Sequence, residues 1–402
     1  MGLMQERSAP FDGIICIGGE DWWYHNRGHF DFQIMRRLAE RWPVLFVNSL
    51  GVRMPSISDK RLFATRIARK LKSLGRGVVR VEGNFWVFSP AAVPGSLGQR
   101  LSNWAVAPQI RLAAARAGIR RPLLWVHCPA GAGLVERLGA RQVVLQRTDR
   151  FEAFPEADSS IVAGQIARLK QRADLVVYAS PQLMAAERAE VRAGLLVTHG
   201  VDVERFVAAS HAQHGDPADM LGLPHPRVGF VGGIDAHTFD PPLLLNVARS
   251  MPDVTFVMVG GSSLPDGWCE LPNVRFLGRK PYEDVARYMA AVDCLIMPWN
   301  RSDWIKACNP IKLKEYLASG RPVVTTDFDA LDGWRDLVTV AHDGESFSGA
   351  IRRSLSSSYD ATAARQRIAG ETWDAKAALI AEALTTLGTR HGRDIAVLRR
   401  AA

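Results

Sequence analysis

Residues 309–326 read N-P-I-K-L-K-E-Y-L-A-S-G-R-P-V-V-T-T, and this stretch decides the fold. Pro310 suits the first turn of a helix, where its missing N–H costs nothing, and Asn309 before it can cap. Ile311, Leu313, Tyr316, Leu317 and Ala318 follow at helical spacing, Gly320 can close the helix and Pro322 forbids its continuation. Residues 322–326 then read as a short buried strand. A helix N-terminus gathers unpaired N–H groups and partial positive charge, which suits an anion such as a diphosphate. Lys312 lies in the first turn and Glu315 three residues on, so both share one face, while Lys314 points elsewhere. A cation beside an anion site, with a carboxylate one turn later, can hold phosphates and a ribose diol respectively. The same spacing equally describes a capped helix packed on a sheet with Lys312 and Glu315 solvated.

Working outward, the alternation of elements points to an α/β chain. Residues 11–19 form an apolar strand ending in Gly18-Gly19, followed by an aromatic and polar loop at 20–27 that contains Trp22, Trp23, Tyr24 and Arg27. A helical pattern at 30–41 leads to a strand at 44–48, a β-loop-α-β unit of the kind that builds parallel sheets covered by helices. Further strands are expected at 85–89, 123–127, 142–147 and 175–179, with helices around 102–117 and 159–172. Residues 206–226, polar and containing Gly, His and Pro, read as a linker. The second half repeats the alternation, with strands at 228–231, 255–259, 274–277, 294–297 and 322–326 and helices at 242–250, 281–291 and 310–319. The expected organisation is an N-terminal Rossmann-like domain over 1–205, a linker over 206–226 and a second Rossmann-like domain over 227–372. A last helix and basic tail would occupy 373–402.

Bulk numbers agree with this class. The 402 residues suffice for two domains, and 47% hydrophobic with 23% charged residues is ordinary globular composition. No apolar run approaches the roughly 18 residues of a membrane span, and residues 1–13 carry no signal-peptide pattern. The five cysteines are scattered with no C-x-x-C pair, which argues against a zinc knuckle or a disulfide framework and fits a reducing cytoplasm. The net charge of +9 is uneven: residues 1–200 hold 28 basic and 16 acidic side chains, residues 201–402 hold 22 and 25. Most of the excess lies in residues 53–80, where nine basic residues (among them Lys60, Arg61, Arg66, Arg69 and Lys70) face Asp59 alone. Phe63, Ile67, Leu71 and Leu74 recur there at helical spacing, so a basic amphipathic helix is expected. Such a helix can lie on an anionic bilayer, each basic residue adding about 1 kcal/mol, or can simply be a solvated helix with one buried face. It carries no Tyr or Trp, and no RNA- or DNA-binding motif is present, so nucleic acid is not an expected partner.

The 309–326 segment resembles the donor-nucleotide helix of GT-B glycosyltransferases of the broad retaining group called family 4, and within it the bacterial subset that builds exopolysaccharides and teichuronic-acid-type polymers. Its pattern N-P-x-K-x-x-E-Y-L-A-x-G-x-P-V-V is matched here at nearly every position. The resemblance implies two Rossmann-like doubly wound domains facing across a cleft. It implies a nucleotide-diphosphate sugar as donor, a lipid-linked or saccharide acceptor, retention of anomeric configuration, and no cofactor or metal. Glu315 would bind the ribose, with Asn309, Pro310, Ile311 and Lys312 beside the phosphates. Residues 123–129 (L-L-W-V-H-C-P) match a strand whose terminal His127 would reach the donor sugar; without the family, a lone histidine at a strand end reads as structural. Residues 173–183 and 198–206 resemble family segments taken as scaffold. Residues 229–240 (G-F-V-G-G-I-D-A-H-T-F-D) resemble the first strand and glycine loop of the donor domain, so Gly232 and Gly233 would let backbone approach phosphate. Residues 276–279, ending in Arg279, precede the loop that meets the base. Gly18, Gly19, Trp22, Arg27 and Asp149 are candidates on the acceptor side, Asp149 also as a fallback base or a structural group. The expected location is the cytoplasm, peripheral to the inner face of a bacterial plasma membrane.

Departures from the pattern matter as well. Many family members carry an Arg and a Lys after the glycine loop and a first glutamate eight residues before the ribose-binding one. Those positions are Gly233, Thr238 and Ala307 here. Phosphate charge would then fall to Lys312, the helix N-terminus and Arg301, Lys306 or Arg27. These departures keep open a catalytically silent GT-B scaffold in polysaccharide assembly, and a GT-B nucleotide-sugar epimerase is a further alternative. An oxidoreductase is disfavoured, because G-x-G-x-x-G is missing and Asn48 stands where an acid is expected.

Overall fold

Short apolar runs such as G-I-I-C-I and V-L-F-V, with no polar alternation, are the pattern of strands covered on both faces. The computed structural model describes residues 10–25, 27–50, 60–92, 96–153, 158–211, 215–302, 305 and 308–387, with backbone alone for 60–67 and 96–103. The chain divides into two compact units, Met1–Thr198 with Lys376–Ala402, and His199–Ala375.

The first unit is built on eight strands: β1 (Gly13–Ile17), β2 (Val44–Val47), β3 (Val78–Glu82), β4 (Phe85–Phe88), β5 (Pro122–Val126), β6 (Gln142–Arg147), β7 (Leu175–Tyr178) and β8 (Gly194–Leu196). Their order is β3-β4-β2-β1-β5-β6-β7-β8, parallel throughout except for β3 against β4. The second unit carries β9 (Arg227–Val231), β10 (Thr255–Val259), β11 (Val274–Gly278), β12 (Cys294–Met297), β13 (Val323–Thr326) and β14 (Thr339–Ala341), ordered β11-β10-β9-β12-β13-β14 and all parallel. Both sheets start in the middle, run to one edge, and return to continue on the other side. The reversals fall between β1 and β5 and between β9 and β12. At such a switch point the connections leave in opposite directions, opening a crevice beyond the carboxyl ends of the strands.

Several expectations need correction. The basic helix, described over Lys60–Gly75, ends before residue 80, and residues 53–59 lie outside the described residues. Gly77 turns the chain at φ 64°, and Val78–Glu82, rich in β-branched residues, becomes the antiparallel edge strand β3. Residues 206–226 do not form a separate linker: the helix Val203–His211 begins before them, and Phe206 and Met220 are buried in the core of the second unit. The helix Ile311–Ser319 starts one residue later than expected. Pro310, extended at φ −76° and ψ 124°, occupies the cap position in place of Asn309, and Gly320, left-handed at φ 72°, closes it. The helices Gly344–Ser356 and Thr362–Ile368 had no expectation. The final helix is Trp373–Thr386, and the basic tail lies outside the described residues.

Beyond its apolar cores, the first unit depends on one buried cation. Arg147, the last residue of β6 and fully buried, donates to both oxygens of Glu187, to Glu152 at 3.0 and 3.2 Å and to the Asp149 carbonyl at 3.0 Å. Lys170 adds a second cation 3.4 Å from Glu187. Removing one member of such a pair strands the other charge in a poor dielectric, at a cost of about 3–5 kcal/mol. Arg147→Leu is therefore expected to lower unfolding stability by about 3 kcal/mol, read as a drop in the denaturation midpoint. A midpoint within experimental error of the wild type would show that the network adds nothing net.

Candidate functional site

In the first unit the candidate residues gather at the β1–β5 switch point. Gly18 and Gly19 follow β1, and His127 follows β5, its backbone N–H donating to the Ile17 carbonyl at 3.0 Å. A Cβ on Gly19 would stand 2.8 Å from the His127 ring, so only glycine lets the imidazole lie against this backbone. Gly18 is packed as tightly, against Phe46. His127 Nδ1 lies 3.0 Å from Asp31 Oδ2, and Nε2 lies 3.2 Å from Thr148 Oγ1. Asp31, fully buried in the first turn of the helix Phe30–Leu38, also accepts from the Gly19 N–H at 3.3 Å. Burial lowers the basicity of His127, but Asp31 outweighs it and lifts the imidazole above its usual 6.5. For Asp31 burial favours the neutral form, and the histidine pulls it below its usual 3.8. Asp149 stands just beyond; burial raises its carboxyl despite the opposing pull of His127. Asp31 and Thr148 were not singled out in the sequence, because an acid in a first helical turn and a threonine after a strand are both ordinary.

The loop after Gly19 is anchored rather than open. Trp22 is core: 2% exposed, it packs on Phe32, Phe46 and Phe85, and its backbone N–H donates to the Asn48 side-chain oxygen at 2.9 Å. This removes it as an acceptor contact. Arg27 lies over its ring, 5.2 Å from the centroid. The helix Lys60–Gly75 and the residue after it grip the same loop: Arg76 stacks on Trp23 at 4.2 Å, Arg69 on Tyr24 at 5.5 Å, and Ser73 donates to Asp21 at 2.9 Å. Lys70 turns inward to donate to the Ser49 carbonyl at 3.0 Å, and burial lowers its basicity. The side chains of Lys60, Arg61 and Arg66 lie outside the described residues.

In the second unit a parallel arrangement surrounds Lys312. The helix Ile311–Ser319 delivers its ammonium 4.8 Å from the centroid of Phe230 on β9 and 5.3 Å from that of Trp299 after β12. A Cβ on Gly232, the residue after β9, would stand 2.2 Å from Lys312 Nζ, so a larger residue would have to displace the ammonium from this position. Burial lowers the basicity of Lys312, opposed by Cys308, Asp235 and Glu315. Glu315 is 6% exposed; burial pushes its carboxyl up to about 7, against the Tyr282 hydroxyl and Lys312. The loop after β9 is shaped by Asp235, which accepts from the N–H groups of His237 and Thr238 at 2.9 and 3.0 Å. Gly233 is exposed beside Asp235, and Thr238 serves the turn rather than a ligand. Backbone bonds join this loop to those after β10 and β11: Gly232 N–H to the Val259 carbonyl at 2.8 Å, Ile234 N–H to Gly261 at 3.0 Å, and Gly260 N–H to Gly278 at 2.9 Å. Arg279 thereby comes to the same end of the sheet, its guanidinium against Gly261. Lys314 is structural, as its spacing indicated: it bonds the His199 carbonyl and the Glu371 carboxylate. Arg301 is exposed and donates to the His342 carbonyl at 2.8 Å. Lys306 and Ala307 lie outside the described residues.

A glycine turn, a helix N-terminus and an ammonium thus meet at one place, the combination that holds a phosphate, while a carboxylate one turn on can accept from two vicinal hydroxyls once ionised. Among the described residues no group of three His, Cys, Asp or Glu is placed to hold a metal ion, and no helix is long and apolar enough to cross a membrane.

Comparison with known proteins agrees with this geometry. Residues 225–357 match the family model described as glycosyl transferases group 1. A Bacillus subtilis (strain 168) protein named as a candidate teichuronic acid biosynthesis glycosyltransferase, TuaH, is 29% identical over 231 residues, 54% of this chain and 58% of that protein. Among solved structures, sucrose-phosphate synthase from Thermosynechococcus elongatus superposes with TM-score 0.69 at 18% identity, covering 94% of this chain and 99% of that one. Anabaena Alr3699/HepE in complex with UDP-glucose superposes with TM-score 0.65 at 14% identity, covering 94% and 100%. The chain has the GT-B fold, and its second unit carries the glycosyl transferases group 1 module.

The Asp31–His127 pair makes a prediction with a definite sign. A histidine whose folded value is raised contributes stability that is complete below its unfolded value and lost as pH rises through the folded one. A depressed aspartate contributes stability above its unfolded value that is lost on acidification. The pair therefore acts from above pH 3.8 to the raised value of His127. Asp31→Asn is expected to lower the His127 titration midpoint followed by NMR, and to remove this pH-dependent stability. An unshifted midpoint would show that Asp31 does not govern the imidazole.

Proposed function

We propose that this chain transfers a sugar from a nucleoside-diphosphate sugar to a saccharide acceptor carried on a lipid, with retention of anomeric configuration, in the building of a cell-surface polysaccharide. The observation that carries the donor half is the approach of Lys312 to Gly232 at the N-terminus of the helix Ile311–Ser319, with Glu315 one turn further. Departure of the nucleoside diphosphate builds negative charge on its terminal phosphate, and preorganised N–H groups and a buried ammonium stabilise that charge with no reorganisation. Glu315 binds the ribose diol, and Arg279 flanks the base. His127, held at both ring nitrogens, presents a fixed edge to the sugar. The family match over 225–357 and a GT-B neighbour in complex with UDP-glucose support this donor class. Acceptor, stereochemistry and place of action rest on the resemblance to polymer-building enzymes.

A second reading, a GT-B partner without activity, is favoured by the uncharged Gly233 and Thr238. Product formation from donor and acceptor separates the two.

The Glu315 carboxyl at about 7 gives the donor site a pH signature. The carboxylate accepts from both hydroxyls of the diol more strongly than the neutral acid, which keeps a proton on one oxygen, so donor binding favours loss of that proton. Affinity for UDP-glucose, whose phosphates do not titrate near 7, should then rise about tenfold from pH 6 to pH 8. Glu315→Gln should abolish the pH dependence, and Glu315→Ala should weaken binding about 10- to 100-fold, the value of hydrogen bonds to a charged group. Calorimetry with UDP-, GDP- and ADP-glucose makes the test and identifies the base. Affinity for every nucleotide sugar unmoved by Glu315→Ala would remove the assignment.

A further inference from the structure

We propose that the outer face of the helix Ser96–Arg116 is a contact for an anionic lipid surface. The inner side of this helix is ordinary core, with Val106, Ala107, Ile110, Ala113 and Ala114 buried against β1, β2 and β5. Its outer side is not. Trp104 is 68% exposed and Leu112 is 60% exposed, with exposed Pro108 between them. Positions 104, 108 and 112 are spaced by four, so they form one stripe along the helix. Helix surfaces of soluble proteins normally present charge on this side.

The occupant follows from the charge around the stripe. Residues 96–116 contain no Asp or Glu, and Arg111 and Arg116 border the apolar positions, Arg111 donating to the Arg137 carbonyl. The Arg137 guanidinium lies 4.1 Å from the Trp104 ring centroid, and the acid next to it, Glu136, is engaged with Arg172 at 3.0 Å. An exposed indole and leucine bordered by arginines complement the interface of an anionic bilayer, where the ring sits at headgroup depth and the cations meet phosphate. A second protein is a poorer match: two large side chains and a prolyl ring offer about 400 Å², below the roughly 800 Å² per partner of a stable interface. The helix Lys60–Gly75, marked by its charge in the sequence, is a weaker candidate. Among its described cations Arg69 and Lys70 hold an aromatic ring and a carbonyl of the same unit, and beside the exposed Lys72 it shows one large exposed apolar side chain, Leu71, against the two and the prolyl ring of the Ser96–Arg116 face.

The test is flotation of the full chain with vesicles of phosphatidylcholine, alone and with added phosphatidylglycerol. The wild type is expected to float only with the anionic vesicles. Trp104→Ser with Leu112→Ser should reduce bound protein at least about tenfold, and Arg111→Gln with Arg116→Gln about fivefold per charge near the surface. Melting temperature and UDP-glucose affinity should not change in either variant, which separates failure here from failure of the donor assignment. Three results would each overturn the proposal. One is a wild type that does not float. Another is flotation retained by the Trp104/Leu112 variant and lost in Lys60→Gln with Arg61→Gln and Arg66→Gln. The third is a dimer in solution that the Trp104/Leu112 variant dissociates, which would make a second copy the occupant.

Discussion

Each unit of this protein depends on one close approach. A glycine just past the first strand lets a polar side chain from across the switch point stand where a Cβ would be. In the first unit the pair is Gly19 and His127, in the second Gly232 and Lys312. The topology supplies the position, since the strand order reverses there and the connections diverge. The glycine supplies the room, and the arriving group supplies charge at the carboxyl end of the sheet. Any larger residue at 19 or 232 would have to displace either the ring or the ammonium, so geometry and electrostatics at the two sites are set together.

The two arriving groups are tuned in opposite senses. His127 meets a buried carboxylate and is pushed toward its charged form, whereas Lys312 lies between aromatic rings and is pushed toward its neutral form. Glu315, a turn away, is pushed toward neutrality as well. An unfilled donor site therefore carries two buried groups that would both ionise more readily with a partner present. A diphosphate stabilises the ammonium and a diol stabilises the carboxylate. The ligand thus completes an arrangement that the empty protein holds at some electrostatic cost, which is the usual condition of a binding site.

Much of this was legible in the sequence, because the strands are short uninterrupted apolar runs and the Ile311–Ser319 helix is punctuated by proline and glycine. The boundaries of β6 and of the helix Ser159–Arg172 agree with expectation to the residue. Legibility failed where a local pattern had two physical meanings. Trp22, in an aromatic loop, reads as a ligand platform but fills the space between Phe32, Phe46 and Phe85. Val78–Glu82 continued a basic run and was absorbed into it, although its β-branched residues pair with β4. Asp31 was invisible, since its partner His127 lies 96 residues away and no spacing rule connects them.

The charge excess of the first half shows why a count of cations misleads about surfaces. Arg69 and Arg76 clamp the Trp23–Tyr24 loop, Lys70 bonds a carbonyl, and Arg147 neutralises two glutamates. Each is spent on the protein's own aromatic faces, carbonyls and acids. A cation engaged in this way has less to give a membrane, because leaving its partner offsets the gain at the lipid. The arginines of the Ser96–Arg116 face are engaged as well, Arg137 over the Trp104 ring and Arg111 with the Arg137 carbonyl, so what distinguishes this face is its exposed apolar stripe of Trp104, Pro108 and Leu112. Sequence charge identified the half of the molecule, and only burial could identify the element.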